Sequence, residues 1–196
     1  MGHRRTFERP FPTRSYRRLF VLATEGAETE PQYFALFNSK TTTVTVKCLK
    51  SRSDSAPRHV LKRMERYLVT NSLKSGDEAW LVVDKDQWTE EQLSQLHEWA
   101  IRDDRYGLAV SNPAFELWLL MHFDDGTDLV NIHQCRERLK RYIPNYDKGN
   151  IETVKLIPGI PAAIERARMK DTPHCIDWPR SIGTTVYRLV ERLQQC

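Results

Sequence analysis

Short apolar runs alternate with helix-period stretches through residues 18–125. Residues 18–23, 79–83 and 106–110 are rich in Leu, Val, Ala and aromatic side chains and are bounded by turn formers, the pattern of buried strands. Residues 42–49 instead alternate β-branched and polar side chains, which predicts a partly exposed edge strand. Between these runs the period changes. Glu30 and Pro31 open a helix to about residue 38, with proline tolerated in the first turn. Residues 57–73 place Val60, Leu61, Met64, Tyr67 and Leu68 on one helical face and Arg58, Lys62, Arg63 and Arg66 on the other. Thr89 caps a helix to about residue 102, with Glu91 and Gln92 near the reciprocal capping position. Asn112 and Pro113 read as N-cap and first residue of a helix running to Phe123, apolar almost all round and therefore buried.

Beyond a polar turn at residues 124–128 the chain reads as helical, with apolar faces at Ile132, Cys135 and Leu139 and at Val186, Leu189, Val190 and Leu193, separated by a loop-rich stretch at 142–159. This order of elements predicts an α/β fold: a mostly parallel sheet flanked by helices, with a C-terminal helical appendage. The expected organisation is a basic N-terminal arm at 1–17, an α/β core at 18–125 and a helical extension at 126–196 packed on that core.

Composition narrows the class. At 196 residues, 40% apolar and 29% charged, the chain suits one globular domain with a modest extension. No apolar stretch approaches the roughly 18 residues that span a bilayer, and the amino terminus has no signal-type apolar core, so a cytoplasmic location is expected. The four cysteines form no C-x-x-C unit, which argues against a zinc knuckle. Net charge is only +4, but Arg4, Arg5, Arg9, Arg14, Arg17 and Arg18 precede the first strand against a single acid, Glu8. The arm is either a solvated tail or a phosphate contact, and the basic face of residues 57–73 carries the same two readings.

Candidate chemistry follows the strands. Glu25-Gly26-Ala27-Glu28-Thr29-Glu30, Asp84-Lys85-Asp86 and Ser111-Asn112-Pro113-Ala114-Phe115-Glu116 each emerge just after an apolar run. If those runs are parallel neighbours, the segments meet at the carboxyl edge of the sheet, where open α/β folds place their sites. Carboxylates crowd together mainly when a cation holds them, so a divalent-metal site is inferred. In extended backbone Asp84 and Asp86 leave the same face and could share one hard cation; the alternative is an acid-rich capping loop. Magnesium, with manganese as substitute, suits so sparse a site because it keeps several waters. Glu25, beside the permissive Gly26, could serve as general base or as a further ligand. Glu30 has mainly a first-turn helix role or a place in a second metal shell. Glu116 lies among Phe115, Leu117 and Trp118, so a metal, an arginine or backbone amides must compensate its charge. Asn112 caps its helix or holds substrate, and His122 reads as a satisfied core histidine. Lys85 and Lys148 are either solvated or reach phosphate. Of the five tryptophans, Trp88 alone is expected near substrate.

The segments at Glu25–Phe34, Val83–Trp88 and Ser111–Phe123, in this order and spacing, together resemble the RloB-like family, and the resemblance continues more weakly through residues 146–149 and 185–193. It implies a Toprim-like domain, with Glu25 after the first strand and Asp84 and Asp86 after the third binding magnesium for phosphodiester chemistry. It also associates the chain with phage defence, and with the residue reading this leads to the expectation of a nuclease in abortive infection, Glu116 supporting, Gly26, Glu30, Ser111 and Asn112 around the site, and Arg58, Arg63, Lys85 and Lys148 on nucleic acid, DNA or RNA. An ATPase partner of the ABC or AAA type is a further implication, no membrane is involved, and a homo-oligomer is compatible. The alternative is a non-catalytic Toprim-like subunit docking on that ATPase.

Overall fold

The computed structural model describes residues 17–39, 42–50 and 58–195, except for the side chains of Arg58 and Gln87. The expected basic arm, save Arg17, lies outside the described residues, as does the side chain of Arg58.

Five strands form one sheet in the order β2-β1-β3-β4-β5. They are β1 (Arg18–Thr24), β2 (Val44–Cys48), β3 (Glu78–Asp84), β4 (Tyr106–Asn112) and β5 (Gly183–Thr184). The first four are parallel; only β5 runs against its neighbour β4. Helices α1 (Thr29–Ala35), α2 (Arg58–Thr70) and α3 (Glu90–Ala100) connect the parallel strands, and α4 (Glu116–Met121) follows β4. The extension contributes α5 (Ile132–Tyr142), α6 (Thr153–Leu156), α7 (Ile160–Lys170) and α8 (Val186–Gln194). The α/β fold with a mostly parallel sheet is therefore present, and β2 occupies the edge. Among the described residues no helix is long and apolar enough to cross a membrane.

Strand alternation divides the interior into two layers. Val21, Ala23, Leu81, Val83 and Val110 face a core closed by Val60 and Met64 of α2 and by Leu93, Leu96 and Trp99 of α3. Phe20, Leu22, Trp80, Val82 and Ala109 face the other core, built from α1, α4, α5, α7 and α8. Because that second core is continuous from Phe20 to Leu193, the extension and the sheet share one hydrophobic interior. The α2 face expected from periodicity is the buried one, and Thr89 with Gln92 forms the reciprocal cap of α3.

Three local expectations are corrected. The helix predicted at 113–123 spans only Glu116–Met121, because β4 continues through Asn112 and pairs it with Gly183; Asn112 Nδ2 donates to the Pro179 carbonyl, so it is no cap. The backbone after Asp84 is not extended: Lys85–Gln87 is a turn of 3-10 helix, so Asp84 and Asp86 do not share a strand face. The C-terminal region, read as helical, also supplies β5, whose two residues were too short to carry a period.

At the amino edge of the sheet Glu78 is almost fully buried yet well partnered. It accepts from Arg18 Nη2 (3.1 Å), from Arg192 Nη2 (2.5 Å) and, through its other oxygen, from Trp80 Nε1 (2.9 Å), joining β1, β3 and α8. Gly107 of β4 lies flat against the same Trp80 ring, and a Cβ there would come within 2.4 Å of it. Since Trp80 is held by Glu78 and cannot swing away, Gly107→Ala is expected to destabilise the fold by about 1–3 kcal/mol through overpacking, measurable by urea unfolding.

Candidate functional site: an acidic pocket at the carboxyl edge

The chain leaves β1 toward β2 on one side and returns to place β3 on the other, so the connections part between β1 and β3. Such a switch point opens a crevice beyond the carboxyl ends of the strands. A cavity of about 490 Å³ lies here, lined by Glu25, Glu30, Asp84, Asp86 and Glu116 and by the cations Arg136 and Lys148.

Each carboxylate reaches the pocket from a different support. Glu25 follows the last residue of β1, and its backbone N–H donates to the Val82 carbonyl of β3 (2.9 Å). Its Oε2 accepts from the Asp84 backbone N–H (3.1 Å) and from the indole N–H of Trp88 (2.7 Å), so one oxygen is fixed in place. Asp84 ends β3; Asp86 is exposed at the rim, its backbone N–H bonded to the Pro113 carbonyl (3.2 Å) beyond β4. Glu30, 4% exposed, accepts from the Gly26 N–H (2.9 Å), and a Cβ on Gly26 would collide with that carboxylate at 2.1 Å. Gly26 thus serves close packing, with no left-handed backbone involved. Glu116, also 4% exposed, accepts from Arg136 Nε of α5 (2.8 Å). Of the compensations open to Glu116, the arginine is the one present.

The remaining candidates, Lys148 excepted, fall elsewhere. Ser111 is buried and hydrogen-bonded to Thr184 (2.9 Å), and the half-buried Asn112 donates to the Pro179 carbonyl, so both tie β4 to the C-terminal segment and neither lines the pocket. Lys85 is occupied by Glu90 (2.7 Å), because the 3-10 turn swings it toward the start of α3. Arg63 donates through Nη2 to the Thr24 carbonyl at the end of β1, while its buried Nε has no partner among the described residues. Lys148 lines the pocket. His122 is a satisfied core histidine: its Nδ1 contacts the Trp118 carbonyl (2.9 Å), its Nε2 the Tyr33 hydroxyl (3.2 Å), and burial lowers its pKa to about 4. Sequence reading missed Arg136. It lies 20 residues from Glu116 on an ordinary amphipathic helix, and only the demand of Glu116 for a counter-charge pointed to such a residue.

Burial raises the pKa of Glu25 against the opposing effect of the Trp88 and Asp84 hydrogen bonds. It raises Glu30 as well, and Asp84 furthest above its ordinary range, where the neighbouring Glu30, Glu25, Glu116 and Asp86 add their repulsion. The donor set is all oxygen and short of positive charge, which fits a hard divalent cation. It is not a closed cage: among the described residues no three His, Cys, Asp or Glu side chains already form a ligand set. Magnesium asks for less, since one or two carboxylates suffice when water and phosphate oxygens complete its shell.

A model of the family described as RloB-like protein matches residues 20–193. No curated protein and no solved structure matches the chain significantly.

The three raised groups bind protons more tightly folded than unfolded. Their contribution to stability is therefore complete below the ordinary carboxylate range and is lost as pH rises through the elevated folded values. In chelator, the cost attributable to these acids is expected to be larger at about pH 8 than at about pH 5. Asp84→Asn should relieve part of it, raising the melting temperature at the higher pH by roughly 2–4 °C per kcal/mol recovered, with little change at the lower. Parallel melting curves of the two proteins check this.

Proposed function

The chain belongs to the RloB-like family, and from that premise we propose that it is a metal-dependent, Toprim-type nuclease that cleaves nucleic-acid phosphodiester bonds in anti-phage, abortive-infection defence. The observation that carries the reading is the meeting of Glu25, Asp84, Asp86 and Glu116 in one crevice at the carboxyl ends of β1, β3 and β4, with three acids in that crevice raised in pKa. Such a crowd of carboxylates is costly without a cation and useful with one.

Asp84 and Asp86 would hold magnesium or manganese, which would supply positive charge at a phosphoryl oxygen. The protein's own part is positional. Trp88 and the Asp84 amide fix one oxygen of Glu25, leaving the other to take a proton from an attacking water. Burial brings the pKa of Glu25 upward, toward the range in which a carboxylate can both accept and return a proton. Glu116, neutralised by Arg136, supports the far side of the crevice. Phosphoryl transfer asks a protein mainly for such placement and charge balance.

A second reading, a non-catalytic Toprim-like subunit docking on an ABC- or AAA-type ATPase, is favoured by the lack of a ready ligand set among the described residues. The two separate in the test tube. Pure protein incubated with DNA or RNA pools plus manganese is expected to yield products from the wild type and about 10²–10⁴-fold less from Glu25→Gln. Magnesium or manganese at about 100 times its dissociation constant should stabilise the wild type by about 2.7 kcal/mol, and the Asp84→Ala, Asp86→Ala double variant should not respond. No products together with no metal-dependent melting would leave the docking subunit.

A further inference from the structure

A pocket walled by carboxylates repels the polyanion it is proposed to cut, so some group must offset that repulsion. Both cations that line it, Arg136 and Lys148, come from the C-terminal extension, whereas the acids come from the first 116 residues. We propose that Arg136 and Lys148 form the phosphate-binding wall of the pocket, holding a polynucleotide phosphodiester against the carboxylates of the sheet. This rests on the nuclease reading and adds where the substrate is gripped.

The geometry of Arg136 is the first support. Its guanidinium meets Glu116 through Nε alone (2.8 Å), and its side chain stays 42% exposed. An end-on pair of this kind uses one of five N–H donors. Among the described residues neither Nη nitrogen has a hydrogen-bond partner, so the fork that suits a phosphate bidentately is open. Glu116 meanwhile holds the guanidinium in position, much as a splint.

Lys148 is the second support. Its backbone carbonyl accepts from Thr29 Oγ1 (3.1 Å) and Gln32 Nε2 (3.4 Å) of α1, which anchors the loop to the pocket wall. Within the loop, Asp147 and Asn150 exchange backbone hydrogen bonds and Asp147 Oδ1 accepts from the Gly149 N–H (2.8 Å). Yet among the described residues no carboxylate lies within 4.0 Å of the Lys148 ammonium, although the pocket is rich in them. A cation fixed at its base, whose charge reaches Glu30 without a salt bridge among the described residues, is placed for an incoming anion.

The test measures binding, not turnover. Fluorescein-labelled single-stranded DNA and RNA 20-mers are titrated by anisotropy in calcium buffer against wild type, Arg136→Lys, Lys148→Gln and the double variant; Lys140→Gln, an exposed cation on α5, is the control. Each wall variant is expected to lose about tenfold in affinity, and the double variant, which removes one positive charge, to flatten the dependence of log affinity on log salt by about one contact. Lys140→Gln should change little, and manganese uptake by the wall variants, followed by calorimetry, should be undiminished. Arg136→Lys retains a charge for Glu116, so loss of fold does not explain its defect; melting curves verify this. Affinities equal to wild type in the wall variants, or no oligonucleotide binding by the wild type, would overturn the proposal. Failure of the wild type to take up manganese would instead overturn the nuclease reading, with the phosphate wall judged by the oligonucleotide data alone.

Discussion

Like-charge repulsion at the carboxyl ends of parallel strands is the constraint around which this molecule is arranged. Parallel pairing of β1, β3 and β4 forces every segment that follows a strand to the same edge, so the acids after those strands cannot avoid one another. Burial then removes the water that would screen them, which is why Asp84, Glu25 and Glu30 all titrate high.

The two ends of the sheet show how deliberate the imbalance is. Glu78 at the amino edge is as buried as Glu30, but two arginines and an indole N–H satisfy it. Asp171, in the loop after α7, is likewise buried and is met by Arg188 (2.7 Å) and Tyr187 (2.8 Å); its pKa falls below the ordinary value. The fold can therefore supply counter-charges to interior acids and does so where the role is structural. In the crevice it supplies hydrogen bonds that orient Glu25 and Glu30, one arginine for Glu116, and no cation bonded to Asp84 among the described residues. Orientation without neutralisation suits a site that receives positive charge from outside.

The extension is bound into this arrangement and is more than a lid. Its helices complete the core beneath α4, β5 lengthens the sheet, and Trp178 crosses to the opposite layer. In consequence the residues that balance the acids are carried by the part of the chain most distant in sequence from Glu25. Any loosening of α5 would move Arg136 away from Glu116 and expose an uncompensated carboxylate in an apolar setting.

Local rules made much of this visible in advance. Apolar runs of strand length, the amphipathic face of α2 and the Thr89 cap are written in neighbouring residues, as is the placement of acids just after strands. Elsewhere a distant partner overrode the local signal: Asn112 and Pro113 spell a helix start, yet β5 drew Asn112 into the sheet. Likewise Asp84-Lys85-Asp86 allowed an extended pair until the chain turned beneath the Pro113 carbonyl. Periodicity and capping depend on contacts within a few residues, so the sequence by itself determined β1 to β4 and most of the helices, the sheet edge they favour and the acidity of that edge. Which oxygen of Glu25 is held, that Arg136 answers Glu116 and that Lys148 lines the crevice were decided only by tertiary structure, because those contacts join residues 20 to more than 100 positions apart and no local pattern encodes them.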